Sequence, residues 1–218
     1  MSYKSRVLLP VLSLACFFAI SPMAWADSSP SSTVTAESSS AETTIQTLDQ
    51  AILSTMQAGE KAGYQGRYKI IAPVLNKTFD FRGIAQIALG SDWPKLSAAQ
   101  QKQFVSVLAE YTAATYAGRF DSYNGEHLAV IQTQQLRPGT MGVFTTLTLK
   151  NGRVHRFDYL LTQDKGAGWR VINVVADGVS DLSMKRSEYT QMIKNKGFSA
   201  LIAHLQQQIN DYATGKKS

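Results

Sequence analysis

The sequence predicts an α+β fold in which helices come first, four antiparallel strands follow, and two further helices close the chain. Apolar residues recur at helical spacing in the first half, beginning with Ile45, Leu48 and Ile52. After Asn124-Gly125 the pattern changes to short segments rich in β-branched and aromatic residues, separated by turn residues. Because the strands are consecutive and the helices lie before and after them, we expect a curved sheet with helices on one face or end.

Two helices are predicted before residue 80. Thr43 and Gln46 have the spacing of a capping box, which predicts that the first helix begins there. The second helix is predicted from Tyr64 to Lys77. Pro73 should bend or restart it, because proline lacks the N–H donor that a helix interior uses.

Two more helices are predicted between residues 80 and 120. The first spans Phe81 to Leu89, and Gly90 follows it where a helix-ending glycine is common. Ser97 and Gln100 form another capping-box pattern, which opens the longest predicted helix, Ala98 to Phe120. One stripe of this helix carries residues at helical spacing, namely Phe104, Leu108, Tyr111 and Thr115.

The strands and closing helices follow from turn signals and apolar patterns. The predicted strands are His127 to Leu136, Met141 to Lys150, Arg153 to Gln163, and Trp169 to Val175. The predicted closing helices are Leu182 to Lys196 and Ser199 to Tyr212, separated by Gly197. Asn151-Gly152 is the strongest short hairpin signal in the chain, because such residues adopt the left-handed conformations that a two-residue turn requires.

This turn predicts the register of the central hairpin. A two-residue turn would pair Lys150 with Arg153. One face of the sheet would then carry Phe144, Phe157 and Tyr159. Leu147 would lie on the opposite face. Neither face is wholly polar, so the sequence leaves open which of them lines a cavity.

The first 26 residues have the parts of a secretory signal. Lys4 and Arg6 precede an apolar run, Val7 to Ile20, and an Ala-x-Ala site ends at Ala26. Cleavage there would remove Cys16, the only cysteine, so the mature protein would use neither disulfide nor thiol chemistry. A retained membrane anchor and a lipidated Cys16 are the alternatives.

Amino-acid composition divides the rest of the chain into a linker, a domain and a short tail. Residues 27–44 are rich in serine and threonine and contain little that a core could bury, which predicts a disordered linker. Residues 45–213 should form a single domain, and residues 214–218 a flexible tail.

Basic residues outnumber acidic ones, 22 to 16. Export argues against a nucleic-acid partner, so the basic surface fits an anionic lipid surface better. A solvated surface that only keeps the protein soluble is an equal alternative. The residues predicted to contact a partner or lipid headgroups are Lys185, Arg186, Lys194 and Lys196.

The sequence lacks a recognisable catalytic or metal-binding pattern. The three histidines are far apart, and no nucleophile elbow, phosphate-binding loop or dinucleotide-binding glycine motif occurs. Asp158 beside Tyr159, or Asp121 near Tyr123, could support acid–base chemistry, but surface or turn roles fit both pairs better. We therefore predict no enzyme activity, no cofactor and no metal.

Four stretches occur in a characteristic order. They are FDFRGIAQIALGSDW from residue 79, LSAAQQKQF from residue 96, YAGRFDSYNG from residue 116, and GWRVINVVADGVSDLSMKRSEY from residue 168. The series resembles the MlaC family of periplasmic lipid-shuttle proteins, also called toluene-tolerance auxiliary proteins. The last two stretches look most like its hopanoid-biosynthesis-associated branch, HpnM. The resemblance covers about Ile45 to Tyr212.

The resemblance implies a fold, a ligand and partners. The fold would be a helix-and-sheet domain similar to NTF2-like or cystatin-like sheets, with an apolar cavity for lipid tails. The protein would carry lipid through the periplasm between an inner-membrane transporter and an outer-membrane acceptor or donor, and we expect a monomer. Asp181-Leu182 after Val179-Ser180 departs from the common MlaC tail, which favours a hopanoid over a phospholipid.

We expect the apolar part of the lipid to lie between the sheet and the long helix. The predicted lining residues are Ile84, Phe104, Leu108, Tyr111, Thr115, Tyr116, Phe120, Phe144, Leu147, Phe157, Tyr159, Val171 and Val174. Two alternatives stay open: an isomerase or lyase with a buried Asp/Tyr pair on the same kind of fold, and a ligand-free interaction subunit of an envelope complex.

Overall fold

The computed structural model describes residues 31–164 and 166–216, and it has the predicted α+β architecture. Helices α1, α2 and α3 span Ser31–Thr78, Phe81–Leu89 and Ala98–Arg119, with a 3-10 segment at Gly90–Lys95. Strands β1 to β5 span His127–Arg137, Thr140–Thr148, Val154–Asp164, Gly168–Ala176 and Val179–Ser180. Helices α4 and α5 span Asp181–Lys196 and Phe198–Ala213. The predicted signal peptide, its cleavage site and Cys16 lie outside the described residues.

Helix α1 consists of two helical halves joined at Gly59 and Gly63. These glycines have φ angles of 55° and 62°, in the left-handed region that other residues avoid. The two helices predicted in this region are therefore both present. Pro73 lies within the second half without ending it.

Arg67 joins this kink to the end of α3. Its buried side chain donates from Nε to the carbonyl of Ala117 and from Nη1 to the carbonyl of Gly59, each at 2.8 Å. Both carbonyls lie near helix C-terminal ends, where free carbonyls carry partial negative charge. The two charge-assisted hydrogen bonds thus hold the last turn of α3 against α1.

The beginning of α1 corrects one prediction. Residues 31–44 are helical, whereas their composition predicts a disordered linker. Ala41 is fully buried, and Oγ1 of Thr44 donates to the carbonyl of Trp169 in β4 at 3.2 Å. Thr43 does not cap the helix, because its Oγ1 donates within the helix to the carbonyl of Ser39 at 2.8 Å. The small side chains of this segment pack against the sheet. Because the segment lacks large apolar residues, its composition gives no sign of a buried face.

Deleting residues 27–42 should therefore lower the melting temperature. The deletion removes the buried Ala41 and the hydrogen bond that Glu42 accepts from Oγ1 of Thr133 at 3.0 Å. A loss of about 2 kcal/mol would lower the melting temperature of a domain of this size by roughly 4–8 °C. Scanning calorimetry measures this shift. An unchanged melting temperature would mean that the first turns of α1 add nothing to the packing.

The predicted ends of α2 and α3 agree closely with the structure. Gly90, with a φ of 51°, ends α2. The N–H of Gln100 donates to Oγ of Ser97 at 3.2 Å, and the N–H of Ser97 donates to Oε1 of Gln100 at 2.9 Å. This reciprocal capping box fixes where α3 begins, and hence which residues it presents to the sheet. The helix ends at Arg119, one residue before the predicted end.

The sheet has five strands rather than the predicted four. Their order is β1-β2-β3-β4-β5, and every neighbouring pair is antiparallel. Asp177 and Gly178, with φ angles of 49° and 83°, form the two-residue turn between β4 and β5. Strand β5 has only two residues, too few for an alternating pattern. The likeness to NTF2-like or cystatin-like sheets stays a prediction.

The turn between β2 and β3 is one residue longer than predicted. Leu149, and not Lys150, is paired with Arg153, because the N–H of Leu149 donates to the carbonyl of Arg153 at 2.8 Å. Gly152 has a φ of 81°, and Oδ1 of Asn151 accepts from the N–H of Arg153 at 3.0 Å. A three-residue turn with glycine in the left-handed region results.

This extra residue changes the faces of the sheet. Phe144 pairs with Asp158, and Thr145 with Phe157. Because side chains alternate between faces, Phe144 lies on the opposite face from Phe157 and Tyr159. The prediction that these three aromatic residues share a face is therefore wrong.

Strand β1 lies at one end of the strand order and is irregular at two points. Its register with β2 shifts between Val130 and Gln132 and again between Gln135 and Arg137. Ile131, at the first shift, is 65% exposed.

The core lies between one face of the sheet, here called the inner face, and the helices. Buried inner-face residues include Met141, Val143, Thr145, Leu147, Tyr159 and Leu161. Helix α1 packs against β1, β2, β4 and α3, while α5 packs on α3, and α4 packs on α2 and β4. The outer face is more accessible, with Phe144 half-buried and Val154 exposed. Within residues 31–216, no described helix combines the length and hydropathy needed to cross a membrane.

Candidate functional site

A cavity of about 160 Å³ lies between α3, the inner face of the sheet, α2 and the N-terminal end of α4. Most of its lining is apolar or aromatic, with a few charged groups, as is usual for small-molecule sites. The lining residues are Phe79, Ile84, Leu108, Thr112, Thr115, Tyr116, Arg119, Phe120, Phe157, Val174, Ala176, Asp181 and Lys185.

Several residues of the predicted lining meet in this cavity. They are Ile84, Leu108, Thr115, Tyr116, Phe120, Phe157 and Val174. Those on α3 share one face because they follow one another at helical spacing. Phe157 and Val174 reach the same cavity from β3 and β4.

Four predicted residues are core residues outside the lining. Phe104 and Val171 are fully buried, and Phe104 packs edge-to-face on Tyr189 with ring centroids 5.9 Å apart. Leu147 and Tyr159 are buried on the inner face of the sheet. These four residues lie on the predicted faces of α3 and the sheet, but at positions along those elements that do not line the cavity.

Two more predicted residues lie elsewhere. Tyr111 packs against Tyr212 with ring centroids 6.4 Å apart, and the ammonium of Lys185 lies 5.6 Å from its ring centre. Phe144 lies on the outer face because of the shifted hairpin register. The shift removes it from the site.

The sequence interpretation missed two polar members of the α3 stripe. Thr112 and Arg119 lie four and eleven residues after Leu108, which places all three on one helix face. The helical spacing itself could have revealed them. The predicted stripe contains the polar Thr115 but neither of these two residues.

The FDF motif positions one wall of the cavity. The N–H of Asp80 donates to the carbonyl of Val171 in β4 at 2.9 Å, and its carboxylate caps α2. Phe79 is thereby held between the two elements, stacked on Phe81 at 5.6 Å and edge-on to Tyr116 at 6.4 Å. Phe79 was not predicted as a lining residue, although the motif that contains it was noted.

Three charged side chains, Arg119, Asp181 and Lys185, form what we call the rim of the cavity. Lys185 forms an ion pair with Asp181, and its side chain is only 14% exposed. Arg119 is exposed, and no salt bridge to it occurs among the described residues. The rim therefore has two cations and one carboxylate, with the arginine free.

This geometry changes the interpretation of the predicted basic surface. Lys185 belongs to the cavity, because its aliphatic chain is covered and its ammonium lies over an aromatic ring. Arg186, Lys194 and Lys196 are exposed on α4. Contact of these three with a partner or headgroups stays a prediction.

Asp49 is a buried carboxyl close to the cavity but not part of its lining. The residue is only 7% exposed, and Oδ1 has no hydrogen-bond partner among the described residues. Burial raises the pKa of Asp49 to about 7. The pKa of Tyr159 is also raised well above its usual value. Burial is the largest cause, and the neighbouring Tyr116 and Asp49 raise the pKa further. Asp49 therefore lies near Tyr116, which lines the cavity, and near Tyr159, which does not.

The acid–base pairs considered from sequence do not come together in the cavity. Asp158 projects from the face opposite Tyr159 and interacts with Arg156 at 3.4 Å. Asp121 and Tyr123 are exposed after α3. Within the described part of the chain, no group of three or more His, Cys, Asp or Glu residues is placed to hold a metal.

The fold is similar to that of a solved structure. A phospholipid-binding protein from Ralstonia solanacearum, determined in complex with a phospholipid, aligns with a TM-score of 0.69 at 20% sequence identity. The alignment covers 79% of this chain and 98% of that protein. At this identity the likeness establishes a common fold.

The sequence also matches a family profile. Residues 46–207, well over half of the chain, match the profile described as MlaC protein. This range begins in the first half of α1 and ends in α5, so it contains every element that lines the cavity. The chain is a member of the MlaC family.

Proposed function

We propose that this protein is a soluble periplasmic carrier that binds the apolar part of a membrane lipid in the cavity and moves it between the inner and outer membranes. Its partners would be an inner-membrane lipid transporter and an outer-membrane acceptor or donor. Export by the N-terminal signal would deliver it to that compartment.

The cavity is the observation that supports this function. Its aromatic wall, formed by Phe79, Tyr116 and Phe120, is continuous with the aliphatic side chains of Ile84 and Leu108. The charged rim adds the exposed residues Arg119 and Asp181 to this apolar lining. Such an arrangement suits an amphiphile whose chain is buried and whose head stays near water. The phospholipid bound by the Ralstonia solanacearum protein is consistent with it.

A lipid that crosses an aqueous space without a carrier faces a large free-energy barrier. Each methylene exposed to water costs roughly 0.8 kcal/mol, so a two-chain or polycyclic lipid faces a barrier of order 20 kcal/mol to cross an aqueous space alone. A protein that keeps the apolar part dry removes most of this barrier without any catalytic group.

Loading requires the cavity to widen. Its volume of about 160 Å³ corresponds to roughly five water-sized spaces, enough for a short length of chain only. Helices α2 and α4 pack against each other, and each contributes to the lining. We propose that a shift of these two helices relative to α3 admits the lipid.

The lipid class is either a hopanoid or a phospholipid. The HpnM-like stretches, with Asp181 following Ser180, favour a hopanoid. Asp181 lies at the rim, so this difference from the common tail falls where the head of a ligand would lie.

Protein isolated from the cell envelope under native conditions should contain lipid. We expect about one lipid molecule per chain, identified by organic extraction and mass spectrometry. Recombinant chain refolded without lipid and incubated with labelled vesicles should also take up lipid. A protein that is empty after both treatments would instead be a ligand-free interaction subunit.

A further inference from the structure

We propose that Asp49, Tyr116 and Tyr159 form a polar subsite beside the cavity, which binds a hydroxyl group carried on the buried, apolar part of the lipid. This inference rests on the proposed function, because it concerns a lipid that the cavity already holds. It adds a chemical feature of the buried part. The feature applies to a phospholipid and to a polycyclic lipid alike, since it does not involve the head.

Asp49 is a polar group placed in an apolar part of the core. It lies in the first half of α1, where the nearby Ile45, Leu48 and Ile52 are all buried. The residue is only 7% exposed, and Oδ1 has no hydrogen-bond partner among the described residues. Leaving a buried polar group unpaired is unfavourable, so such groups are rare in native proteins and commonly have a function.

Two tyrosine hydroxyls accompany this carboxyl at the wall of the cavity. Tyr116 on α3 is one of the lining residues. Tyr159 borders the lining on the sheet, because its cross-strand partner is Val174 and Phe157 lies two residues earlier on the same face. Neither tyrosine hydroxyl has a hydrogen-bond partner within residues 31–164 and 166–216. Each can therefore pair with a group that enters from the cavity.

Electrostatic effects show that the three groups are neighbours. Burial is the largest cause of the raised pKa of Tyr116, and the carboxylates of Asp181 and Asp49 raise it further. The guanidinium of Arg119 acts in the opposite direction. Tyr116 is therefore close both to the charged rim and to Asp49. The pKa of Tyr159 is raised by burial first, then by Tyr116 and Asp49.

A hydroxyl group suits this cluster better than an ion does. Burial raises the pKa of Asp49 to about 7, so below that pH the carboxyl is neutral and can both donate and accept a hydrogen bond. The tyrosine hydroxyls can do the same. A hydroxyl on the lipid would pair with these groups without bringing a charge into the core. A plain acyl chain would leave all of them unpaired.

The test offers the full chain two lipids in one vesicle. The vesicles contain equal parts of phosphatidylcholine with plain stearoyl chains and phosphatidylcholine whose stearoyl chains carry one hydroxyl near the middle. After incubation at about pH 6, below the pKa of Asp49, the protein is separated and its lipid is quantified by mass spectrometry. We expect the hydroxylated lipid to be enriched about threefold to tenfold relative to the vesicle. The two heads are identical, so head recognition cannot produce this ratio.

Variants of the cluster should change the ratio in a graded way. Asp49→Leu should reduce it to that of the vesicle, whereas Asp49→Asn, whose amide donates and accepts, should retain most of the enrichment. Tyr159→Phe, which removes one hydroxyl and keeps the ring, should give an intermediate ratio. If Asp49→Leu does not fold, Tyr159→Phe still decides the question.

Thr55→Val is the matched control and should keep the wild-type ratio. It also removes a fully buried polar group from α1, but the hydroxyl of Thr55 already donates to the carbonyl of Ala51 at 2.7 Å. Equal uptake of the two lipids by the wild type would mean that the cluster binds only water, and would overturn the proposal while leaving the carrier function intact. Unchanged enrichment in both Asp49→Leu and Tyr159→Phe would also overturn it. Uptake of neither lipid would contradict the proposed function itself.

Discussion

Asp49→Asn should make the protein markedly more stable than wild type above neutral pH, with an advantage about 4 kcal/mol greater at pH 8 than at pH 4. The pKa of this carboxyl is raised from 3.8 to about 7 by burial. Below pH 3.8 the folded and unfolded states are both protonated at Asp49. As the pH rises towards 7, the unfolded state releases this proton while the folded state retains it. The wild type therefore loses stability through this window, up to about 1.4 kcal/mol per pH unit.

Urea unfolding of both proteins at several pH values measures this effect. Asparagine keeps the shape of the side chain and cannot ionise, so the variant should lack this component of the pH dependence. Asp121→Asn, which removes an exposed carboxylate after α3, is the matched control. Parallel stability curves for wild type and Asp49→Asn would show that the carboxyl ionises freely in the folded protein.

Leu108→Trp should fold and lose at least about nine-tenths of its bound lipid, a change of roughly 1.4 kcal/mol in binding free energy. Leu108 is fully buried on α3 and lines the cavity, so the indole can extend into existing space. The same space is where we propose that the lipid chain lies. The melting temperature and the lipid content of purified protein are the two measurements.

Leu147→Trp is the matched comparison. Leu147 is also buried, but it lies outside the cavity lining, so an added ring would have to displace the residues packed around it. We expect it to lose about 1–3 kcal/mol of stability from overpacking. If Leu108→Trp folds and keeps its full lipid content, the lipid does not bind in this cavity. If Leu108→Trp does not fold, Val174→Phe from the opposite wall provides the same test.

The features predicted correctly are those that depend on nearby residues. The Ser97–Gln100 capping box and the ending of α2 at Gly90 involve contacts within a few positions, so their signals are complete in the local sequence. The hairpin was located correctly by the same kind of signal. Its register required a choice between two-residue and three-residue turns, and Asn151-Gly152 is compatible with both.

The predictions that failed depend on distant contacts. Ala41 and Thr44 are unremarkable in sequence. Ala41 is buried, and Thr44 bonds to the carbonyl of Trp169, only because β4 packs against α1 in the folded protein. Lys185 looks like a surface lysine, and only the packing of α4 beside α3 places its ammonium over the Tyr111 ring. The candidate site was therefore predictable on α3, where periodicity identifies the face, and much less so on the sheet and α4.

The irregular edge strand has a consequence for handling the protein at high concentration. An open sheet edge offers unpaired backbone groups to another chain, which is a common route to aggregation. The two register shifts in β1 interrupt the regular spacing that such a template needs. Ile131, which is exposed at the first register shift, would still favour hydrophobic association between molecules. Ile131→Lys should therefore delay the appearance of light scattering in concentrated solutions while leaving the interior of the fold untouched.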